Sequence, residues 1–73
     1  MKKIKITSNK LLALELSTIR EQKQLSLTEM AHYIGVSRRL YCYLESGKYN
    51  RPLSLITKRK ITEKVLVGSN YEF

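Results

Sequence analysis

Several residue types on which other classes of protein depend are scarce in this sequence. Its 73 residues include no Asp, one His, one Cys and one Pro. Without clustered metal ligands, catalytic groups or a glycine-rich phosphate loop, we expect neither an enzyme nor a protein that binds a metal or cofactor. No run of about 18 apolar residues could cross a membrane, and no apolar run of signal-peptide length follows Met1–Lys10. From the lack of such segments we expect a soluble protein, and because a lone cysteine suits a reducing compartment we expect it to be cytoplasmic.

The single histidine and cysteine have ordinary interpretations. His32 is expected to be an exposed side chain on a helix. Cys42 is either a redox-sensitive thiol or a small bystander, and the lack of a second, resolving cysteine favours the bystander. A chain this short without a disulfide must draw its stability from one compact apolar core or from a second chain.

Acidic residues are also scarce, and the basic excess is uneven along the chain. Fourteen Lys and Arg stand against six Glu, which gives a formal net charge of +8. Residues 1–10 carry four Lys and no acid, and residues 38–64 carry eight basic and two acidic groups. This excess either favours a polyanion as partner, through counterion release, or serves as a solvated surface.

Capping residues and apolar periodicity predict helices in the first half of the chain. Ser8 or Asn9 can cap the first helix, which runs to about residue 24. Ser26 and Glu29 form an S-x-x-E capping box that starts the second helix, and Gly35 stands where a positive φ would end it.

A third helix is predicted from residue 38 to about residue 46, with Ser37 as its cap and Gly47 just beyond its end. A polar loop follows it, up to Pro52. The side chains expected to face inward are Leu12, Leu16, Ile19, Leu27, Met30, Ala31, Ile34, Tyr41 and Leu44, with Leu40 at the margin.

The two ends of the chain are harder to interpret. Residues 1–7 alternate weakly and are either a mobile basic arm or a short edge strand, and we favour the arm. From Leu53 the pattern is mostly helical, but the spacing of Ile56 and Ile61 indicates a break or an irregular join. The segment around Val65–Val67 can end as helix or strand. We therefore expect a basic arm over 1–10, one domain over 11–67 and a tail over 68–73.

Only three residues, Gly35, Val36 and Ser37, join the second helix to the third, and a connection this short predicts that the two helices cross at a steep angle. Ala31 allows close approach of the two helices, and Val36 fills the angle between them, so that the first turn of the third helix projects. A projecting helix end fits the major groove of B-DNA, which is about 12 Å wide.

The chain resembles the phage Cro and lambda-repressor-like regulators, also called the xenobiotic-response-element family. The resemblance covers about residues 11–66 and rests on elements that occur together at the family's spacing. These elements are the run Ile19-Arg20-Glu21-x-Lys23-x-Leu25-Ser26-x-x-Glu29-Met30-Ala31-x-x-Ile34-Gly35-Val36-Ser37-Arg38 and then Leu44-Glu45-x-Gly47-Lys48-x-x-x-Pro52. The resemblance implies an all-α fold of four or five helices around a central helix-turn-helix, and a homodimer that binds double-stranded DNA at a two-fold operator to repress transcription.

By position in the family, the base-reading residues are Arg38, Arg39 and Tyr43. Arginine can donate two hydrogen bonds to guanine O6 and N7, and Arg39 is the favoured base reader because Arg38 can instead hold a phosphate. Tyr43 can contact a thymine methyl group or a phosphate oxygen, or be a partly buried aromatic. The residues expected to contact DNA phosphates are Thr28, Ser37, Lys48, Tyr49, Asn50 and Arg51.

Two positions depart from the family pattern. Leu27 stands where the family often has a polar phosphate ligand, and either Thr28 or Gln24 could take its place. Tyr41 occupies a usually aliphatic core position, and its hydroxyl needs a partner if it is buried. Glu45 is expected to be structural, pairing with Arg20 between the first and third helices.

Two other functions compete with this interpretation. One is a protein-interaction module such as an antitoxin or an inhibitor, and the other is non-specific binding of nucleic acid through the basic arm and loop. The expected dimer interface is Ile61–Val67, with Tyr71 and Phe73, although these apolar residues could equally be part of the monomer core.

Overall fold

Four α-helices and two short strands make up the domain, and the computed structural model describes residues 2–73. The elements are β1 (Ile4–Lys5), α1 (Asn9–Gln22), α2 (Leu27–Ile34), α3 (Arg38–Glu45), α4 (Leu55–Ile61), a π-helical turn (Thr62–Leu66) and β2 (Tyr71–Glu72). Met1, the first residue of the expected arm, lies outside the described residues. Within 2–73, no helix has the length and apolar character needed to span a membrane.

Each α-helix begins behind a serine whose hydroxyl oxygen accepts a backbone N–H three residues later. These caps are Ser8, Ser26, Ser37 and Ser54. The capping box at Ser26 is confirmed, since Glu29 also accepts the Ser26 N–H at 2.9 Å. At the first helix the structure selects Ser8 over Asn9, which leaves the Asn9 side chain available for another contact.

The core lies between α1, α2, α3 and the C-terminal end of the helical region. Its fully buried large side chains are Leu12, Leu16, Met30, Tyr41, Leu44 and Ile61. The hydroxyl of the buried Tyr41 has an acceptor in the Leu16 carbonyl oxygen, 3.5 Å away. Burial raises the pKa of Tyr41 well above its ordinary value. The predicted inward residues are confirmed, except that Ile19 and Leu27 are only half-buried.

The prediction of an all-α fold is wrong in one respect, because the two ends of the chain form a small parallel sheet. Ile4 pairs with Tyr71 and Lys5 with Glu72. The backbone bonds run from Ile4 N–H to the Asn70 carbonyl at 2.6 Å and from Ile6 N–H to the Glu72 carbonyl at 2.8 Å. The fold is therefore mostly helical, with a short strand in the predicted arm and a second strand in the predicted tail.

Most apolar side chains of the predicted dimer interface, Ile61–Val67, are buried within the monomer. Ile61, Val65 and Leu66 are at most 5% exposed in the monomer, so they belong to its core. The break or irregular join predicted between Ile56 and Ile61 is wrong, because both residues lie in the regular helix α4 and Ile56 simply faces solvent. The irregular segment is the π-helical turn that follows Ile61, and it places Val65 and Leu66 on the core side. Tyr71 and Phe73 are half-buried against the same core, and only Val67 of the segment Ile61–Val67 is a large exposed apolar side chain.

Candidate nucleic-acid interface

The connection between α2 and α3 is short and held by several contacts. Gly35 has a φ of 93°, in the left-handed region that glycine adopts without strain, and its N–H and that of Val36 both donate to the Ala31 carbonyl. The Lys60 ammonium group of α4 donates to the Gly35 carbonyl at 2.8 Å. Ser37 then starts α3 by accepting the Leu40 N–H at 3.1 Å. The cap leaves the Ser37 hydroxyl proton free, and this is the group that could donate to the phosphate predicted to contact Ser37.

The two inward residues of α3 decide which of its side chains are exposed. Tyr41 and Leu44 are buried in the core, and the helix repeat therefore turns Arg38, Arg39 and Tyr43 away from it. Both arginines are exposed, and Tyr43 is 50% exposed. The structure brings the three predicted base-reading residues together on the outer side of α3.

Arg38 is held in place by a neighbouring helix. Its Nε donates to the Thr28 hydroxyl oxygen on α2 at 2.9 Å. This leaves the two terminal nitrogens of the guanidinium group available to a ligand. Thr28, which the sequence placed among the phosphate contacts, is thus a hydrogen-bond partner of Arg38.

Arg39 differs from its neighbour in having no such support. Within residues 2–73, its guanidinium group forms neither a hydrogen bond nor an ion pair. All of its donors are therefore available to a ligand.

Tyr43 connects α3 to the loop that follows it. Its ring lies edge-on to the ring of Tyr49, with centroids 5.7 Å apart and planes at 87°. Tyr49 is half-buried and packs against the core, so part of its ring serves the fold. Its hydroxyl is the group left for the predicted phosphate contact.

The loop itself presents its polar residues to solvent and is anchored from behind. Lys48, Asn50 and Arg51 are exposed. The Asn9 side-chain amide donates to the carbonyl oxygens of Tyr49 and Arg51, at 2.5 and 3.2 Å. The loop is therefore joined to the start of α1 as well as to α3.

The only acidic residue between Ser37 and Arg51 faces away from this surface. Glu45 accepts hydrogen bonds from Arg20 Nε and Nη2, the shortest at 2.8 Å, and both side chains are mostly buried. The hydrogen bond to Glu45 raises the pKa of Arg20. The predicted Arg20–Glu45 pair is confirmed, and it leaves Arg38, Arg39, Lys48 and Arg51 as an exposed basic group with no exposed acid on the same segment.

Two residues of this region had no role in the sequence interpretation beyond local structure. From the sequence, Asn9 is a candidate helix cap and Lys60 is one charge of the basic excess. Their partners lie 40 to 42 and 25 residues away in the chain. No local pattern predicts contacts of that separation.

The remaining candidate chemistry is sparse. Among residues 2–73, no group of three or more His, Cys, Asp or Glu side chains is placed to hold a metal ion. His32 is exposed, as expected, and Cys42 is half-buried with a free thiol. Compared with family models, curated proteins and solved structures, the chain has no match.

Proposed function

We propose that this protein is a sequence-specific DNA-binding protein of the lambda-repressor-like type, in which α2, residues 35–37 and α3 form a helix-turn-helix. The observation that carries the proposal is that Arg38 and Arg39 are both exposed on the first turn of α3, a helix whose inner side buries Tyr41 and Leu44. A helix anchored on one side and basic on the other can enter the major groove while the rest of the domain stays outside it.

The chemistry of the exposed residues suits a division between base reading and backbone contact. Arg39 keeps its whole guanidinium fork for guanine O6 and N7, a contact worth about 1–3 kcal/mol of discrimination against another base. Arg38, with Nε engaged by Thr28, can present its two terminal nitrogens to a base or a phosphate. Tyr43 lies one turn further along α3, where it can contact a thymine methyl group.

The loop after α3 supplies the proposed backbone contacts. Lys48, Asn50 and Arg51 are exposed there, and Tyr49 offers its hydroxyl. Contacts to phosphate position a protein on the duplex but carry no sequence information. The loop should therefore determine the affinity for DNA and the position of the protein on the duplex, whereas α3 should determine which base sequence is preferred.

The biological role that we propose is a bacterial or phage transcriptional repressor acting as a homodimer on a two-fold operator. Recognition helices of such a dimer would lie about 34 Å apart, one turn of the duplex. The dimer must use side chains other than Ile61, Val65 and Leu66, since these are buried within one chain. Sedimentation of the protein with its selected duplex tests this point, and a complex with one chain per duplex would contradict it.

Selection of bound duplexes from a random pool tests the proposed function. We expect a defined motif, and we expect Arg39→Ala to lose the preference at one symmetric pair of positions, because the guanine contact is removed. Arg59→Ala, which removes an exposed arginine of α4, is the matched control and should leave the motif unchanged. A duplex that never binds at low ionic strength would overturn the proposal.

Two lysine variants and a competition experiment with scrambled duplex distinguish this function from its alternatives. Arg38→Lys and Arg39→Lys keep the charge but lose the planar fork, so base reading should be weakened whereas binding to an acidic protein should tolerate the change. A scrambled duplex that competes as well as the selected one would indicate non-specific binding through charge alone.

A further inference from the structure

Asn9 joins the first turn of α1 to the loop that follows α3. Its side-chain nitrogen Nδ2 donates to the carbonyl oxygens of Tyr49 and Arg51. Asn9 is half-buried, and it lies 40 to 42 residues before its partners. The contact is therefore a tertiary tether and not a local feature of the helix.

The tether needs a side chain that can donate two hydrogen bonds. Both partners are carbonyl oxygens, which only accept hydrogen bonds, so the contact needs a group with two donors, as the NH₂ of asparagine has. An aspartate of the same shape would present acceptors to acceptors. The N-terminus of α1 makes no demand on Asn9, because Ser8 already caps the helix.

The tether acts on a loop whose ends carry the exposed cations Lys48 and Arg51. Between them, the Tyr49 ring contacts the Tyr43 ring of α3 with centroids 5.7 Å apart. The loop backbone is thus held by Asn9 on one side and by an aromatic contact with α3 on the other. Its position relative to the outer side of α3 depends on both.

We infer that Asn9 is a positioning residue for DNA binding, which holds the phosphate-contacting loop in fixed register with the base-reading side of α3. This inference rests on the proposed function. Asn9 itself meets no base and no phosphate. It lowers the entropy that the loop loses when its side chains contact the duplex, because the loop is already ordered in the free protein.

The size and pattern of the expected effect follow from this role. Ordering one rotamer-rich side chain on binding costs about 0.5–1.5 kcal/mol, which corresponds to a loss of affinity of about two- to tenfold when the tether is removed. Since phosphates are the same in every duplex, the loss should be equal for the selected and the scrambled duplex. The motif selected from a random pool should not change.

The experiment compares Asn9→Ala with Asn70→Ala, which removes an exposed asparagine amide elsewhere. Affinity for the selected and the scrambled duplex is measured across a range of salt concentrations. For Asn9→Ala we expect the equal loss described above, together with an unchanged dependence of affinity on salt, since the loop cations still neutralise their phosphates in the complex and only the cost of ordering the loop rises. Asn70→Ala should match the wild type in both respects. A selected motif altered by Asn9→Ala would overturn the inference.

A double-mutant cycle separates positioning from a general effect on folding. In a protein that carries Lys48→Ala and Arg51→Ala, the loop has lost both of its charged phosphate contacts, and Asn9→Ala should have a clearly smaller further effect on affinity. Equal losses in the two backgrounds would overturn the inference and make Asn9 a structural residue only. If Asn9→Ala does not fold, Asn9→Ser, which keeps one donor, replaces it in the same cycle with an intermediate loss expected.

The failure of this inference can be distinguished from failure of the proposed function. A wild-type protein that binds the selected duplex, with Asn9→Ala binding it equally well, overturns the role of Asn9 and leaves the function standing. A wild-type protein that binds no duplex at low salt overturns both.

Discussion

Arg38 and Arg39 are neighbours in the chain and are both exposed, but another side chain holds only the first of them. The bond from Arg38 Nε to the Thr28 hydroxyl, 2.9 Å long, fixes the direction of that guanidinium group before any ligand arrives. Arg39 must lose its side-chain freedom on binding. Because nothing holds its guanidinium group, Arg39 can orient that group to fit the edge of a base.

Thr28→Val tests the support that Arg38 receives. Valine keeps the shape of threonine but cannot accept the hydrogen bond, so we expect duplex affinity to fall about two- to fivefold, as for one lost hydrogen bond of modest net strength. The measurement is a binding titration at fixed salt. Thr18→Val is the control, because the Thr18 hydroxyl bonds only the Leu14 carbonyl of its own helix. Equal losses in the two variants would contradict this role of Thr28.

At the scale of single elements, α2 depends on its capping box. The backbone N–H of Ser26 donates to the Glu29 carboxylate, and this bond lowers the pKa of Glu29 below its ordinary value of 4.5. A carboxyl group with a lowered pKa in the folded protein contributes stability that is fully present above its unfolded pKa. That contribution is lost as the pH falls through the folded pKa.

Glu29→Gln should remove this part of the pH dependence. Glutamine can still accept the Ser26 N–H in a capping box, but it does not titrate. Denaturant unfolding between pH 7 and about pH 3 should therefore show the wild type losing stability relative to the variant below about pH 4.5, the ordinary pKa of the group. Glu63→Gln, at an exposed glutamate of the π-helical turn, is the control. A constant difference between wild type and Glu29→Gln over this range would show that the carboxylate does not matter.

The whole molecule combines one core with a strongly basic surface. The net charge is +8, and at the chain ends the Lys5 ammonium lies 3.7 Å from the Glu72 carboxylate across the small sheet. On the proposed DNA side, Glu45 is turned inward to Arg20, so the cations there face no acid of their own segment. No exposed acid of this segment therefore weakens the positive potential around α3 and its loop.

The salt dependence of DNA binding tests this distribution. If Arg38, Lys48 and Arg51 each neutralise one phosphate, the logarithm of the affinity should fall with the logarithm of salt concentration with a slope of about −3 per bound chain. Arg51→Gln should reduce the slope by about one. Lys64→Gln, at an exposed lysine of the π-helical turn, should leave the slope unchanged. A slope that responds equally to both variants would indicate diffuse attraction instead of defined contacts.

Interactions between residues close together in the chain determine the helix boundaries and the buried face of each of the first three helices, so the sequence alone predicts them. The caps at Ser26 and Ser37, the positive φ of Gly35 and the apolar stripes of α1 to α3 depend on residues within a few positions of one another, and all were predictable for that reason. The outward placement of Arg38, Arg39 and Tyr43 follows from the same helix repeat. Their role on DNA remains a proposal.

Only the tertiary structure decided the contacts between distant parts of the chain. The pairing of Ile4 with Tyr71 turned an expected arm into a strand, and the burial of Ile61, Val65 and Leu66 assigned them to the core instead of a dimer interface. The tether from Asn9 to Tyr49 and Arg51 belongs to the same class. A short strand or a single amide has no periodicity of its own, and its partner depends on how the helices pack, which is why the sequence left these contacts open.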